Sequence, residues 1–229
     1  MLSFLVIILL SYLLGSIPTS IWVGKIYKKI DIRKYGSGNA GATNTFRILG
    51  WKAGVIVALI DLAKGFTAAY FISNLGYVVG DIPAHVGAWD THVFMQVVAG
   101  VSAVIGHMFP LYAKFKGGKG VITAAGMLYA IEPYSISVAL LVFIIVLFTS
   151  HYVSLASISA AFIYPFVMLF MRYVLMIHLD GSQIVFASIL AAGLIIKHIS
   201  NIRRLLNGEE NRIRSFKPAK GWLNKEESS

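Results

Sequence analysis

The sequence predicts an all-α integral membrane protein of about seven transmembrane helices, with its N-terminus outside and its C-terminus in the cytoplasm. Three observations carry that expectation. The 229 residues are 57% hydrophobic and 13% charged, with a mean hydropathy of +0.75, against about 45–50% apolar and about 25% charged in a soluble domain. The apolar residues cluster into long runs. All but two of the 20 Lys and Arg fall in three segments that seven spans would place on one side.

The first run, from Met1 to Val23, has no basic leader and no small-residue cleavage site, so it reads as a retained helix rather than a signal peptide. Further spans are expected at 53–72, 93–109, 120–132, 135–150, 152–171 and 183–199. The segment 120–132 is short for a bilayer that needs roughly 20 residues, so it tilts or ends early at Glu132-Pro133. No internal repeat is evident, and residues 1–213 read as a single membrane domain followed by a basic, polar cytoplasmic tail, 214–229.

The basic segments are 25–52, the loop 114–119 and everything from Lys197 onward. The opposite side carries Asp81, Asp90 and Asp180 against Arg172. The excess of Lys and Arg marks the cytoplasmic side, and part of the net charge of +10 serves orientation and contact with anionic lipid. Topology accounts for the basic bias, so no nucleic-acid partner is expected. The absence of cysteine excludes disulfides, thiolate nucleophiles and Cys-ligated metals. The six histidines show no HExxH-type spacing, and neither a metal nor a cofactor is expected.

Small and polar residues concentrate in the three basic segments. Gly36-Ser-Gly-Asn-Ala-Gly-Ala-Thr-Asn44, followed by Thr45-Phe-Arg47, is a nine-residue ribbon of glycines, hydroxyls and amides. A simple turn needs fewer such residues. The donors suit a ligand rich in oxygen acceptors, with Arg47 the nearest fork-shaped partner for phosphate. Gly106-His-Met-Phe-Pro110 leads into Lys114-Phe-Lys-Gly-Gly-Lys-Gly120. Glycines let backbone N–H groups converge on an anion, and lysines supply countercharge. A nucleotide P-loop would need Ser or Thr after Lys119, where Gly120 stands. The plainer alternative is a flexible basic loop touching headgroups. In the third segment, Lys197 to Gly208, a helix would put His198, Asn201 and Leu205 on one face, with Gly208 just past its end. Arg203 and Arg204 could instead snorkel to headgroups.

These segments, with the junction Tyr152-Val-Ser-Leu-Ala-Ser-Ile158 and Asp61-Leu-Ala-Lys-Gly65, resemble the bacterial PlsY-type glycerol-3-phosphate acyltransferases from Met1 to about Ile213. Ile199 stands where that family often has a basic residue. The resemblance implies transfer of an acyl group from acyl phosphate to the 1-hydroxyl of glycerol-3-phosphate, at the cytoplasmic face of a bacterial inner membrane. It also implies membrane lipids, and the soluble enzyme that makes acyl phosphate, as partners. Ser37, Gly38, Asn39, Thr43, Asn44 and Arg47 are expected to hold acyl phosphate. Lys114, Lys116, Gly117, Gly118, Lys119, Gly120, Ser154, His198 and Asn201 are expected to hold glycerol-3-phosphate in an adjoining pocket. Ser37, Arg47, His107 and His198 are the catalytic candidates, and Glu210 is expected to brace the third segment by pairing with a cation. The proton of the attacking hydroxyl goes to His107, to His198 or, as favoured, to the acyl phosphate's own oxygens. An acylated Ser37 is disfavoured, because no Ser-His-Asp set surrounds it.

Two motifs are read as structural. His85-Val-Gly-Ala-Trp-Asp90 spells HxxxxD, the pattern of unrelated soluble-type glycerolipid acyltransferases, but it falls in the outer loop. Asp61 and Lys64 lie three residues apart within a span and read as a mutually neutralising pair facing the bundle interior, with ion translocation as the sharper alternative. A transporter would carry its polar site near the midplane, often with repeats. A metal-dependent headgroup phosphotransferase would need clustered carboxylates. The sequence has neither feature.

Overall fold

A computed structural model describes residues 2–79, 86, 87 and 89–213; His85 and the tail 214–229 lie outside them. Among the described residues the chain is helical, with no strand. Helix α1, Leu2–Gly15, and α2, Thr19–Lys28, are separated at Pro18, which has no N–H to continue the ladder. A loop then leads to α3, Ala42–Leu49, and α4, Trp51–Thr67, which continues as a π turn over Ala68–Ile72. Short α5, Leu75–Val79, precedes α6, Thr91–Met108. Then come α7, Val121–Ile131, α8, Pro133–Ser150, and α9, Val153–Tyr173. Helix α10, Gly181–Ile196, and α11, Ile199–Leu206, complete the order.

Among the described residues, five stretches are long and apolar enough to cross a bilayer: Leu2–Lys28, Trp51–Val78, Thr91–Ala113, Pro133–Ser150 and Val153–Tyr173. The pair α10–α11 makes a sixth if its two arms count as one span. The seventh expected segment is α7, which at 11 residues is the short one; at 1.5 Å per residue it cannot alone cover a core about 30 Å thick.

Local chemistry explains the helix ends. Asp90 caps α6 by accepting from the Val93 N–H at 3.0 Å, which gives the aspartate of the HxxxxD pattern a structural use. Glu132 accepts from the N–H groups of Tyr134 (3.1 Å) and Ser135 (2.7 Å), with Pro133 at the first helical position of α8. The expected 183–199 span stops earlier, at Ile196. The His198 imidazole turns back to the Leu194 carbonyl at 2.8 Å, and α11 leaves at 57° to α10. The ribbon 36–44 is likewise divided, since α3 begins at Ala42 and takes in Thr43 and Asn44.

Packing brings α4 and α7 together at glycines. A Cβ on Gly65 would lie 1.9 Å from the Thr123 carbonyl oxygen, and one on Gly126 would lie 2.0 Å from that of Leu62. Ile21, Ile32, Ile48 and Val57 form a core that fastens the first polar segment to α2 and α4. Met127, Tyr164 and Met168 tie α7 to α9. Outward, Leu59, Phe148 and Val185 are all more than 60% exposed, the surface of a protein whose solvent is lipid.

Candidate active site

All three polar segments meet in one cavity of about 370 Å³. Loop and helix α3 contribute Ser37, Gly38, Asn39, Thr43, Asn44 and Arg47; the second segment contributes His107, Lys119 and Gly120; and Ser154, His198, Asn201 and Glu210 close the far side.

The first wall is built on Asn44, which is fully buried. Its Nδ2 donates to the carbonyls of Ile32 and Tyr35, both at 3.0 Å, and its Oδ1 accepts the Ser37 N–H at 3.0 Å. Although expected to bind ligand, Asn44 thus uses its amide to shape the loop that presents Ser37. Gly36 and Gly38 take φ of +61° and +71°, the left-handed region a tight loop requires. Arg47 donates from Nη2 to the Asn211 carbonyl at 3.1 Å, while its buried Nε has no partner. Burial holds this guanidinium below its ordinary pKa, opposed by Glu210. A desolvated, unpartnered guanidinium donor is an anion site in waiting.

The second wall differs from expectation. Gly117 and Gly118 donate their N–H groups to the carbonyls of Met108 (3.3 Å) and His107 (3.1 Å), so those amides are not aimed at a ligand. Their small size matters instead: a Cβ on Gly118 would come within 2.2 Å of His107 Nε2. Arg33 pins the loop, donating to the Ala113 carbonyl at 3.0 Å while paired with Asp31 at 2.7 Å. Lys114 takes φ +55°, and both it and Lys116 are exposed outside the cavity lining. Lys119 alone of the three enters the cavity and donates to Asn201 Oδ1. Burial lowers its pKa to about 8, with Glu210 opposing the shift and Arg204 and Arg47 adding to it.

The third wall is organised by Glu210, which is 6% exposed. Its carboxylate accepts from Ser154 Oγ (3.1 Å), Asn201 Nδ2 (3.0 Å) and Arg204 Nε (2.7 Å). Gly208, at φ +73°, ends α11; its N–H donates to Leu205 O and that of Glu209 to Arg204 O, satisfying the last carbonyls and turning Glu210 inward. His198 donates Nδ1–H to Leu194, so a neutral ring has Nε2 as its basic nitrogen. The chain then crosses back, Arg212 donating to Tyr152 Oη (2.8 Å) and Ile213 N–H to the His151 carbonyl (2.9 Å).

Ser157, Ser200, Arg204 and Asp61 also line the cavity and were not expected there. The spacing of Ser154 with Ser157, and of Asn201 with Arg204, was the available signal: three residues apart on a helix share a face. Asp61 and Lys64 are paired at 2.8 Å and almost fully buried, as a mutually neutralising pair would be. Among the described residues no three His, Cys, Asp or Glu gather as a metal-binding set.

A second, mainly apolar cavity of about 360 Å³ shares Ala42, Thr43 and Val153 with the first and runs between Gly54, Val55 and Ala58 of α4 and Leu147 and Phe148 of α8. Phe148 is 66% exposed, so this cavity borders the lipid.

A family model described as glycerol-3-phosphate acyltransferase matches residues 5–208. The glycerol-3-phosphate acyltransferase of Salinibacter ruber is 46% identical over 227 residues, covering 98% of this chain and 99% of its own. That of Chlorobaculum tepidum is 46% identical over 232 residues, covering 93% and 97%. The crystal structure of PlsY (YgiH), an integral membrane glycerol 3-phosphate acyltransferase, in its glycerol 3-phosphate form matches with a TM-score of 0.74 at 35% identity, over 92% of this chain and 96% of that one. Its lysophosphatidic acid form matches equally, at 34% identity.

Proposed function

This chain belongs to the glycerol-3-phosphate acyltransferase family, and from that premise we propose that it moves a fatty acyl group from acyl phosphate to the 1-hydroxyl of glycerol-3-phosphate. The products are lysophosphatidic acid and inorganic phosphate. The observation that carries the reading is the junction of a cationic polar cavity with an apolar, lipid-bordering one at Ala42, Thr43 and Val153. An amphiphilic acyl donor needs that pairing: each methylene buried contributes about 0.8 kcal/mol, and each charge-assisted hydrogen bond to phosphate about 1.5–3 kcal/mol.

The donor's phosphate lies against Ser37, Gly38, Asn39, Thr43 and Arg47, and glycerol-3-phosphate against Lys119, Ser154, His198 and Asn201. The attacking hydroxyl oxygen bonds to the acyl carbon, the carbon–oxygen bond to phosphate breaks, and the hydroxyl proton passes to the departing phosphate. A mixed anhydride is activated enough to need no covalent enzyme intermediate. Arg47, with its unpartnered Nε, takes up the charge that grows on the leaving phosphate. The concentration of Lys and Arg in the segments that build this cavity supports a cytoplasmic placement at a bacterial inner membrane. A soluble enzyme that makes acyl phosphate would be the partner there.

The test is purified protein in detergent with acyl phosphate, with phosphate release followed over time. Release that depends on glycerol-3-phosphate is expected, and its absence would sink the reading. Loss of turnover when His107 and His198 are both replaced by Gln, with acceptor binding retained, would replace the substrate-assisted route by a histidine base.

A further inference from the structure

Asp61 lies well inside α4, yet it lines the polar cavity. A carboxylate in a membrane helix is costly and calls for a reason. Lys64 is an obvious one, its Nζ 2.8 Å from Asp61 Oδ1, but three features go beyond neutralisation. Lys64 also donates to the Ile17 carbonyl, so it is anchored from a second side. The same Asp61 Oδ1 accepts from Thr19 Oγ1 at 3.0 Å and lies 3.6 Å from His107 Nδ1. Finally, Asp61 and His107 line both the reaction cavity and a small second chamber that is also lined by Thr19, Ser20 and Gly117.

His107 joins this buried cluster to the glycine-lysine loop. Its side chain is 9% exposed. Its carbonyl accepts the Gly118 N–H, and its Nε2 edge occupies the space that any Cβ on Gly118 would need. The next residue is Lys119, the lysine that reaches the cavity. A shift of the ring therefore moves the backbone that carries the cation.

We propose that Asp61 is a positioning residue for the reaction, orienting the His107 ring as a wedge that sets where Lys119 meets the phosphate of the acceptor. The inference rests on the reading of the cavity as an acyl-transfer site. Asp61 touches no reacting atom; it acts through His107.

Removing Asp61 alone would strand the Lys64 ammonium in the membrane interior, so the informative variant is Asp61→Asn with Lys64→Met, which keeps the cluster neutral. The expected result is a folded protein whose KM for glycerol-3-phosphate rises about tenfold, a size typical of indirect coupling, with kcat within about threefold. A double variant with the parent's KM would overturn the proposal and leave Asp61 as a counter-ion only. If the double variant does not fold, Gly118→Ala displaces the same ring from the loop side: a raised KM supports the proposal, and the parent's KM overturns it. A parent protein with no acceptor-dependent phosphate release would defeat the functional reading itself, which is a different outcome from active parent and unchanged variants.

Discussion

Lys119 and Asn201, 82 positions apart in sequence, are bonded side chain to side chain inside the polar cavity. The bond joins the loop just ahead of α7 to α11. It places an ammonium beside the amide that Glu210 orients from its other end. One mutation at either residue therefore disturbs both walls.

Replacing Lys119 by Met keeps the apolar stem and removes the charge. A charge-assisted bond of about 1.5–3 kcal/mol corresponds to roughly a 10–150-fold loss in kcat/KM for glycerol-3-phosphate. Initial-rate kinetics at fixed acyl phosphate would register it, and a loss under about threefold would remove Lys119 from the site.

The same lysine predicts a pH dependence. Burial lowers its pKa in the free protein from the ordinary lysine value of 10.5 to about 8, so the ammonium is present below pH 8 and lost as pH rises through that value. A phosphate dianion binds the charged form, and acceptor KM should therefore rise between about pH 7.5 and 9. A KM flat to pH 9.5 would contradict this.

Glu210 opposes that lowering, and its loss leaves Arg47 and Arg204 to act on Lys119 without it. Glu210→Gln should move the rise in acceptor KM to lower pH, and should also lower the melting temperature in detergent, because Arg204 Nε and Ser154 Oγ lose a charged acceptor. KM–pH profiles of parent and variant measured side by side would check the direction.

Asn44→Ala removes two donors and one acceptor from three backbone groups of the first loop. Each buried group left unsatisfied costs about 1–3 kcal/mol, so a clear fall in thermal stability is expected even though Asn44 is not assigned to ligand binding. A stable variant with altered donor KM alone would instead assign it to the acyl phosphate.

Run length and composition are enough to place the long helices to within a few residues, because only a backbone that satisfies its own hydrogen bonds persists in hydrocarbon. The polar ribbons Gly36–Arg47 and Lys114–Gly120 are equally legible in the sequence, since runs so rich in glycine, amides and lysine have no place in a span. The bend at His198 is not legible there, since it depends on a side chain bonding back to Leu194. Nor is the fate of the glycine amides, which depends on whether carbonyls at the end of α6 lie within reach.

By itself, the sequence determined that this is a helical membrane protein with three polar, cationic segments between its apolar runs. Hydrophobicity and charge are properties of residues and act wherever those residues lie. Only the tertiary structure decided which of three neighbouring lysines serves the cavity. Lys114, Lys116 and Lys119 are chemically alike in the sequence; the loop's left-handed turn at Lys114 and its bonds to Met108 and His107 leave the first two outside and carry the third to Asn201. The selection is geometric, because a cation works at a distance of a few ångströms and not at a position in a chain.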